Sequence, residues 1–165
     1  MKTALRTIIE NATVSITETI SKGVLIKNRF ILTAGHCVNL DLDGYMDAAS
    51  GEDYSVGINS YMGTFRTTPI AIEPINDIAI LGALDDQEFE EEVELFEDFC
   101  RRTKPIKVSN DIFEIGQKIT VYIFTHESKW VSGYAYISSP NSNTLILEME
   151  EPIKKGTSGS GVYNE

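Results

Sequence analysis

A chain of 165 residues with 42% apolar side chains has room for one large domain or two small ones, and enough apolar surface to bury a core. Its formal net charge of −11 argues against nucleic-acid binding and against docking on anionic lipid, since both want a basic surface. No stretch approaches the roughly 18 apolar residues of a membrane span, and the first ten residues, with Lys2, Arg6 and Glu10, lack the continuous apolar core of a secretory signal.

Thr3–Glu10 sets Leu5, Ile8 and Ile9 at helical spacing and predicts a short amphipathic helix. Ala12–Ile16 alternates and begins the strands. Gly23–Ile26, a turn at Lys27-Asn28-Arg29, and Phe30–Thr33 read as a β-hairpin, with His36 directly behind it. Asn39–Gly44 resembles the opening of a calcium loop. The twelfth position of that loop is Ser50 rather than an acid, and even with Asp47 as a substitute ligand a turn is the better reading. No metal and no cofactor are expected. Tyr54–Ile58 and Arg66–Glu73 predict two more strands, and Asp77 opens a third, Ile78–Leu84.

From Asp85 to Asp98 the chain carries nine acids and no Lys or Arg; without them the net charge would be about −2. Phe89, Val93 and Phe96 recur there at helical spacing. The plain reading of residues 85–98 is an amphipathic helix linking two halves, and the sharper one is a docking surface for a basic protein partner. Pro105–Val108, Gln117–Phe124, Trp130–Ile137 and Thr144–Met149 then read as strands, punctuated by Gly116, Gly133 and Ser139-Pro140-Asn141. So many short strands with turn signals imply an all-β sandwich or barrel. Cys37 and Cys100 are too few for a disulfide framework, and two free thiols in a reducing, cytoplasmic compartment are expected.

Three stretches carry chemistry. Ile31–Cys37 sets His36 at the end of an apolar run, and Asn76–Leu81 sets Asp77 at the start of another. Lys154–Val162 sets Ser158 among glycines, which permit a tight turn and close approach of a substrate backbone. Taken singly, His36 is better read as a core histidine, Asp77 as a strand-end turn residue and the glycine-rich stretch as a plain loop; taken jointly they are not. Their order, His, Asp, Ser, is the chymotrypsin order of the Ser-His-Asp triad.

On these residues the chain resembles a trypsin-like serine protease of the chymotrypsin fold. Gly23–Cys37 is similar, without a gap, to the family hairpin ending in Thr-Ala-Ala-His-Cys, with Gly35 at the second alanine. Asn76–Leu81 is similar to the family's Asp-Ile-Ala-Leu-Leu strand, and Gly156–Gly161 to Gly-Asp-Ser-Gly-Gly-Pro. Ile115–Ile119 and Val131-Ser132-Gly133 resemble the bacterial HtrA-type and glutamyl-endopeptidase patterns. The resemblance implies two Greek-key β-barrels, the second incomplete, with a short N-terminal helix and an acidic helical linker. Residues 1–84 would carry His36 and Asp77, residues 85–102 the linker, and residues 103–165 Ser158.

The same resemblance implies a serine endopeptidase acting on peptide or protein substrates. Ser158 would be the nucleophile and His36 the general base. Asp77 would hold the imidazole, and the backbone N–H groups of Gly156 and Ser158 would form the oxyanion hole. The alternative is an inactive or regulatory protease-like binding module. Ser160 falls on a family glycine position, and His126, in the turn Thr125–Ser128, reads as a surface residue.

Departures from the family pattern carry expectations too. Ser21 stands where secreted members place the cysteine that pairs with the one after the histidine, so Cys37 lacks that partner. Thr157 replaces the aspartate before the nucleophile, so activation by a freshly cut N-terminus pairing with that aspartate is not expected. Seven residues follow Ser158, and the expectation is a second barrel open on one side, with little peptidase activity from these 165 residues alone.

Overall fold

Six strands close into an antiparallel barrel in the computed structural model, which describes residues 1–38, 55–84, 90–109, 114–139 and 144–164. The calcium-loop resemblance at 39–50 and the acids Asp85, Asp86 and Glu88 lie outside these residues. Helix α1 (Thr3–Ala12) runs directly into β1 (Thr13–Ile16), and the Thr13 hydroxyl donates to the Ile9 carbonyl at 2.8 Å where the helix stops. Then come β2 (Ser21–Ile26), β3 (Phe30–Ala34), β4 (Val56–Ser60), β5 (Gly63–Glu73) and β6 (Ile78–Gly82). Their order around the barrel is β1-β2-β3-β6-β5-β4, and Ser15 opposite Asn59 closes it.

Strand alternation explains the barrel core. Ile31 and Thr33 of β3 point inward, as do Ala79 and Leu81 of β6, and they meet Val14, Ile16, Leu25, Ile58 and Phe65. Helix α2 (Glu90–Arg102) lays Phe96 and Phe99 on Phe65, with ring centroids 5.7 and 5.3 Å apart. Each fully buried ring contributes about 1.5–3 kcal/mol. Acids fill the first turn of α2 and Arg101 and Arg102 the last, which suits the helix dipole. From Glu90 onward the acidic segment is therefore helical, and among the described residues three of its acids are engaged within the chain. Glu92 accepts from the Arg66 amide, Glu97 from Arg29, and Asp98 from Arg101 and Arg102.

The second sheet contains β7 (Ile119–Phe124), β8 (Trp130–Tyr136), β9 (Ile146–Met149) and β10 (Val162–Tyr163), in the order β10-β7-β8-β9. Among the described residues its outer strands, β9 and β10, pair on one side only. Helix α1 wedges between sheet and barrel: Ile9, Val24 and Tyr163 form a second small core beside Trp130, whose indole N–H donates to Glu10 at 2.7 Å. The chain is thus mostly β, with a closed six-stranded barrel, a second sheet and, among the described residues, two helices, as a chymotrypsin-like fold requires.

One expected strand is not one. Pro105–Val108 makes a single parallel bridge, the Ile106 amide donating to the Leu25 carbonyl at 2.8 Å. β1 covers β2 only as far as Val24, so Leu25 and Ile26 have room for one more partner there. Pro105 has no N–H to extend the ladder. Cys37 and Cys100 are free thiols, the first buried and the second half-buried. Thr19 donates to the Cys37 carbonyl at 2.8 Å and shares a hydrogen bond with Ser21 at 2.6 Å. Among the described residues no helix is long and apolar enough to cross a membrane.

Candidate active site

His36 and Asp77 meet because β3 and β6 pair in a register that sets Ala34 opposite Ile78. Two residues beyond Ala34, in the 3-10 turn Gly35–Val38, lies His36; Asp77 lies one residue before Ile78. Two hydrogen bonds join them, and a third ties the neighbouring Gly35 to Asp77. The Gly35 amide donates to the Asp77 carbonyl at 2.9 Å, the His36 amide donates to Asp77 Oδ1 at 2.8 Å, and His36 Nδ1 sits 2.6 Å from Oδ2. Asp77 has φ +57°, a left-handed conformation that Asp tolerates better than most residues. A Cβ on Gly35 would lie 3.1 Å from Asp77 Oδ1, so the glycine lets the carboxylate close in. Burial raises the Asp77 carboxyl, but the hydrogen bonds from the His36 amide and ring and the charge attraction outweigh it. Together they hold the group below the usual carboxylate range.

Ser158 lies on an exposed loop docked against the barrel. The Lys22 amide of β2 donates to the Ser158 carbonyl at 2.8 Å. One turn, Lys154 to Thr157, precedes the serine, and a second, Thr157 to Ser160, encloses it. Gly159 has φ +77°, and a Cβ there would lie 1.9 Å from the Lys22 carbonyl oxygen, so only glycine fits. Ser160 points away, donating to the Phe124 carbonyl at 3.1 Å. Among the described residues, neither the Gly156 nor the Ser158 amide donates to a protein acceptor, and Ser158 makes no hydrogen bond to His36.

Several neighbours of the loop were not legible in the sequence. Lys22 is buried, which pushes its ammonium pKa down, and its Nζ donates to Ser15 at 3.0 Å. Thr157 is buried, and among the described residues its hydroxyl has no hydrogen-bond partner. His126 is half-buried rather than a surface residue, and its ring lies against Gly156. An apolar cavity of 730 Å³ lies under the loop, between α1 and the second sheet. It reaches Asp77 and Gly159 but is lined by neither His36 nor Ser158. Among the described residues no cluster of His, Cys, Asp or Glu is placed to hold a metal ion.

A family model described as Trypsin matches residues 8–133. The chain belongs to the trypsin family. The match includes His36 and Asp77 and stops short of Ser158. A serine endoprotease from Yersinia pestis is similar in structure at 16% identity, with a TM-score of 0.59, over 99% of this chain and 54% of that one. The inactive form of the Rv3671c protease is similar at 15% identity and a TM-score of 0.56, over 99% of this chain and 79% of that one. A second inactive form of Rv3671c, from M. tuberculosis H37Rv, gives 14% identity, a TM-score of 0.59, and 99% and 76% coverage. At these identities the likeness shows the fold alone. The chain spans about half the length of the Yersinia protein. Among curated proteins none matches.

Proposed function

We propose that this trypsin-family chain is a serine endopeptidase working through His36, Asp77 and Ser158. The observation that carries the reading is the paired hydrogen bonding of Asp77 to the amide and ring of His36. A carboxylate can only accept, so Nδ1 carries a proton and Nε2 is left as the basic nitrogen. His36 Nε2 removes the Ser158 proton as Oγ attacks the peptide carbonyl. The resulting oxyanion is received by the Gly156 and Ser158 amides. His36 then gives its proton to the leaving amine, and the acyl-enzyme is released by water activated at the same nitrogen. Losing one oxyanion donor typically costs on the order of a hundredfold to a thousandfold in rate.

In this reading residues 1–84 supply the base and its carboxylate, residues 85–102 link, and residues 103–165 supply the nucleophile. The motifs at Ile115–Ile119 and Val131–Gly133 favour the bacterial HtrA-type or glutamyl-endopeptidase branch. Two free thiols fit a reducing compartment. Acids of α2 not engaged with the barrel would face a basic protein partner.

A second reading, a protease-like binding module without activity, draws on the unmade hydrogen bond between Ser158 and His36. A fluorophosphonate probe separates the two. Labelling that maps to Ser158 and vanishes in Ser158→Ala supports the peptidase. Wild-type protein that stays unlabelled under the same conditions overturns it.

A further inference from the structure

Gly156 is gripped from two sides. It has φ +92°. A Cβ built on it would lie 2.9 Å from the Ile20 carbonyl oxygen, 3.1 Å from His126 Cγ and 3.3 Å from His126 Cδ2. One jaw is therefore the β1–β2 turn of the barrel, and the other is an imidazole from the β7–β8 turn of the second sheet. Ile20 is itself unusual, a β-branched residue at φ +50° that is 71% exposed. Such a conformation persists only where the surroundings over-determine it, and it collects at functional sites.

His126 is not there to satisfy its own polarity. Its Nδ1 is buried and has no hydrogen-bond partner among the described residues. Native structures rarely leave such an atom unpaired without a reason. The same turn also reaches the serine loop through Glu127, which accepts from Lys154 at 2.7 Å. That ion pair joins a 63% exposed lysine to a 33% exposed glutamate, and pairs so open to water hold little. The ring packed on Gly156 is the firmer of the two attachments.

We propose that His126 is a positioning residue for oxyanion stabilisation: its ring, closing against Ile20, holds Gly156 in the one backbone conformation that keeps the Gly156 N–H turned towards the reacting carbonyl. The inference rests on the peptidase reading above. His126 touches no reacting atom and acts through Gly156. A backbone donor that must be oriented at the moment of reaction loses its advantage, which lies in needing no reorganisation.

The test compares wild type, His126→Ala and His126→Phe in two measurements. In ¹⁵N-glycine-labelled protein, His126→Ala should shift or broaden the Gly156 amide resonance, and His126→Phe, which keeps a flat ring, should restore it. In fluorophosphonate labelling of Ser158, His126→Ala should lower the limiting inactivation rate about tenfold or more and leave the half-saturating probe concentration within about twofold. His126→Phe should recover most of that rate, and a ring-preserving variant guards against mistaking misfolding for the effect. An unmoved Gly156 resonance in His126→Ala, a wild-type labelling rate in that variant, or a phenylalanine that fails to rescue would each overturn the proposal. Wild-type protein that never labels would instead overturn the peptidase reading, and the amide measurement would still judge the hold on Gly156.

Discussion

The Asp77 carboxylate binds His36 through both of its oxygens, Oδ1 to the backbone amide at 2.8 Å and Oδ2 to the ring nitrogen Nδ1 at 2.6 Å. The imidazole is thereby fixed relative to its own main chain. Asp77→Asn should keep the fold, because Asn also accepts the left-handed backbone. Its side-chain NH₂ would face Nδ1 and favour the wrong tautomer. Fluorophosphonate labelling at Ser158 should fall by on the order of 10³–10⁴. A labelling rate within a few-fold of wild type would remove Asp77 from this role.

Acid should weaken the same contact. The folded pKa of Asp77 lies below its ordinary value, so the ionised carboxylate contributes stability above the unfolded value of about 3.9 and loses it as pH falls through the folded value. The side chain is 49% exposed, which screens the effect and keeps it small. Urea midpoints of wild type and Asp77→Asn should differ at neutral pH and converge as the pH falls through the folded value of Asp77. A gap that persists undiminished at the acid end would mean that the carboxylate is not its source.

Gly159→Ala should be among the most damaging single-methyl additions to the chain. The new carbon would sit 1.9 Å from the Lys22 carbonyl oxygen and 2.4 Å from Thr33 Oγ1, at φ +77°. Overpacking and left-handed strain together predict a loss of at least ~2 kcal/mol, with the serine loop lifted from β2. Equilibrium urea unfolding reads it, and a loss under ~0.5 kcal/mol would show that the loop is not seated on Lys22.

How legible these relationships were depends on what created them. Gly23–Ile26, Phe30–Thr33 and Ile78–Leu84 read as strands because each is a short apolar run bounded by turn residues, and β2, β3 and β6 pair there, with β6 ending at Gly82. The meeting of His36 with Asp77 follows from that register. β5 begins at Gly63, three residues before the expected Arg66; Gly63 and Thr64 are exposed and carry no apolar signal, and Phe65, though buried, is a single apolar residue between polar neighbours. The contacts of His126 and Lys22 with the serine loop have no period at all. They arise when segments far apart in the chain come to rest on each other, His126 thirty residues before Gly156 and Lys22 136 residues before Ser158, which no local pattern announces.

Thr157→Val should stabilise the protein. Thr157 is 5% exposed and its hydroxyl has no partner among the described residues. Removing a buried, unsatisfied hydroxyl while keeping nearly the same shape recovers its desolvation penalty, about 1 kcal/mol. A higher thermal midpoint checks this; a lower one would mean that the hydroxyl has a partner, such as a bound water.

Neither thiol should react readily in the native protein. Cys37 is 1% exposed. Burial pushes the Cys100 thiol up to about 11, which leaves little thiolate at neutral pH. Titration with a disulfide reagent should find both thiols in denaturant and react far more slowly without it. A count of zero in unreduced, denatured protein would show that they are bridged.

The six barrel strands all fall within residues 13–82, and so do both members of the His36–Asp77 pair. Synthesis runs from the N-terminus at about 5–20 residues per second, and N-terminal units generally fold first. We predict that on the ribosome the barrel closes around its aromatic and aliphatic core while Ser158 has yet to be made. Proteolysis of nascent chains stalled near residue 120 would test this, since a barrel cut as freely as an unfolded chain would contradict it. Ser158, the nucleophile of the proposed peptidase, would then arrive last, on a loop that lands on the finished wall of β2, and until that landing the growing polypeptide would carry His36 without the serine it is proposed to deprotonate.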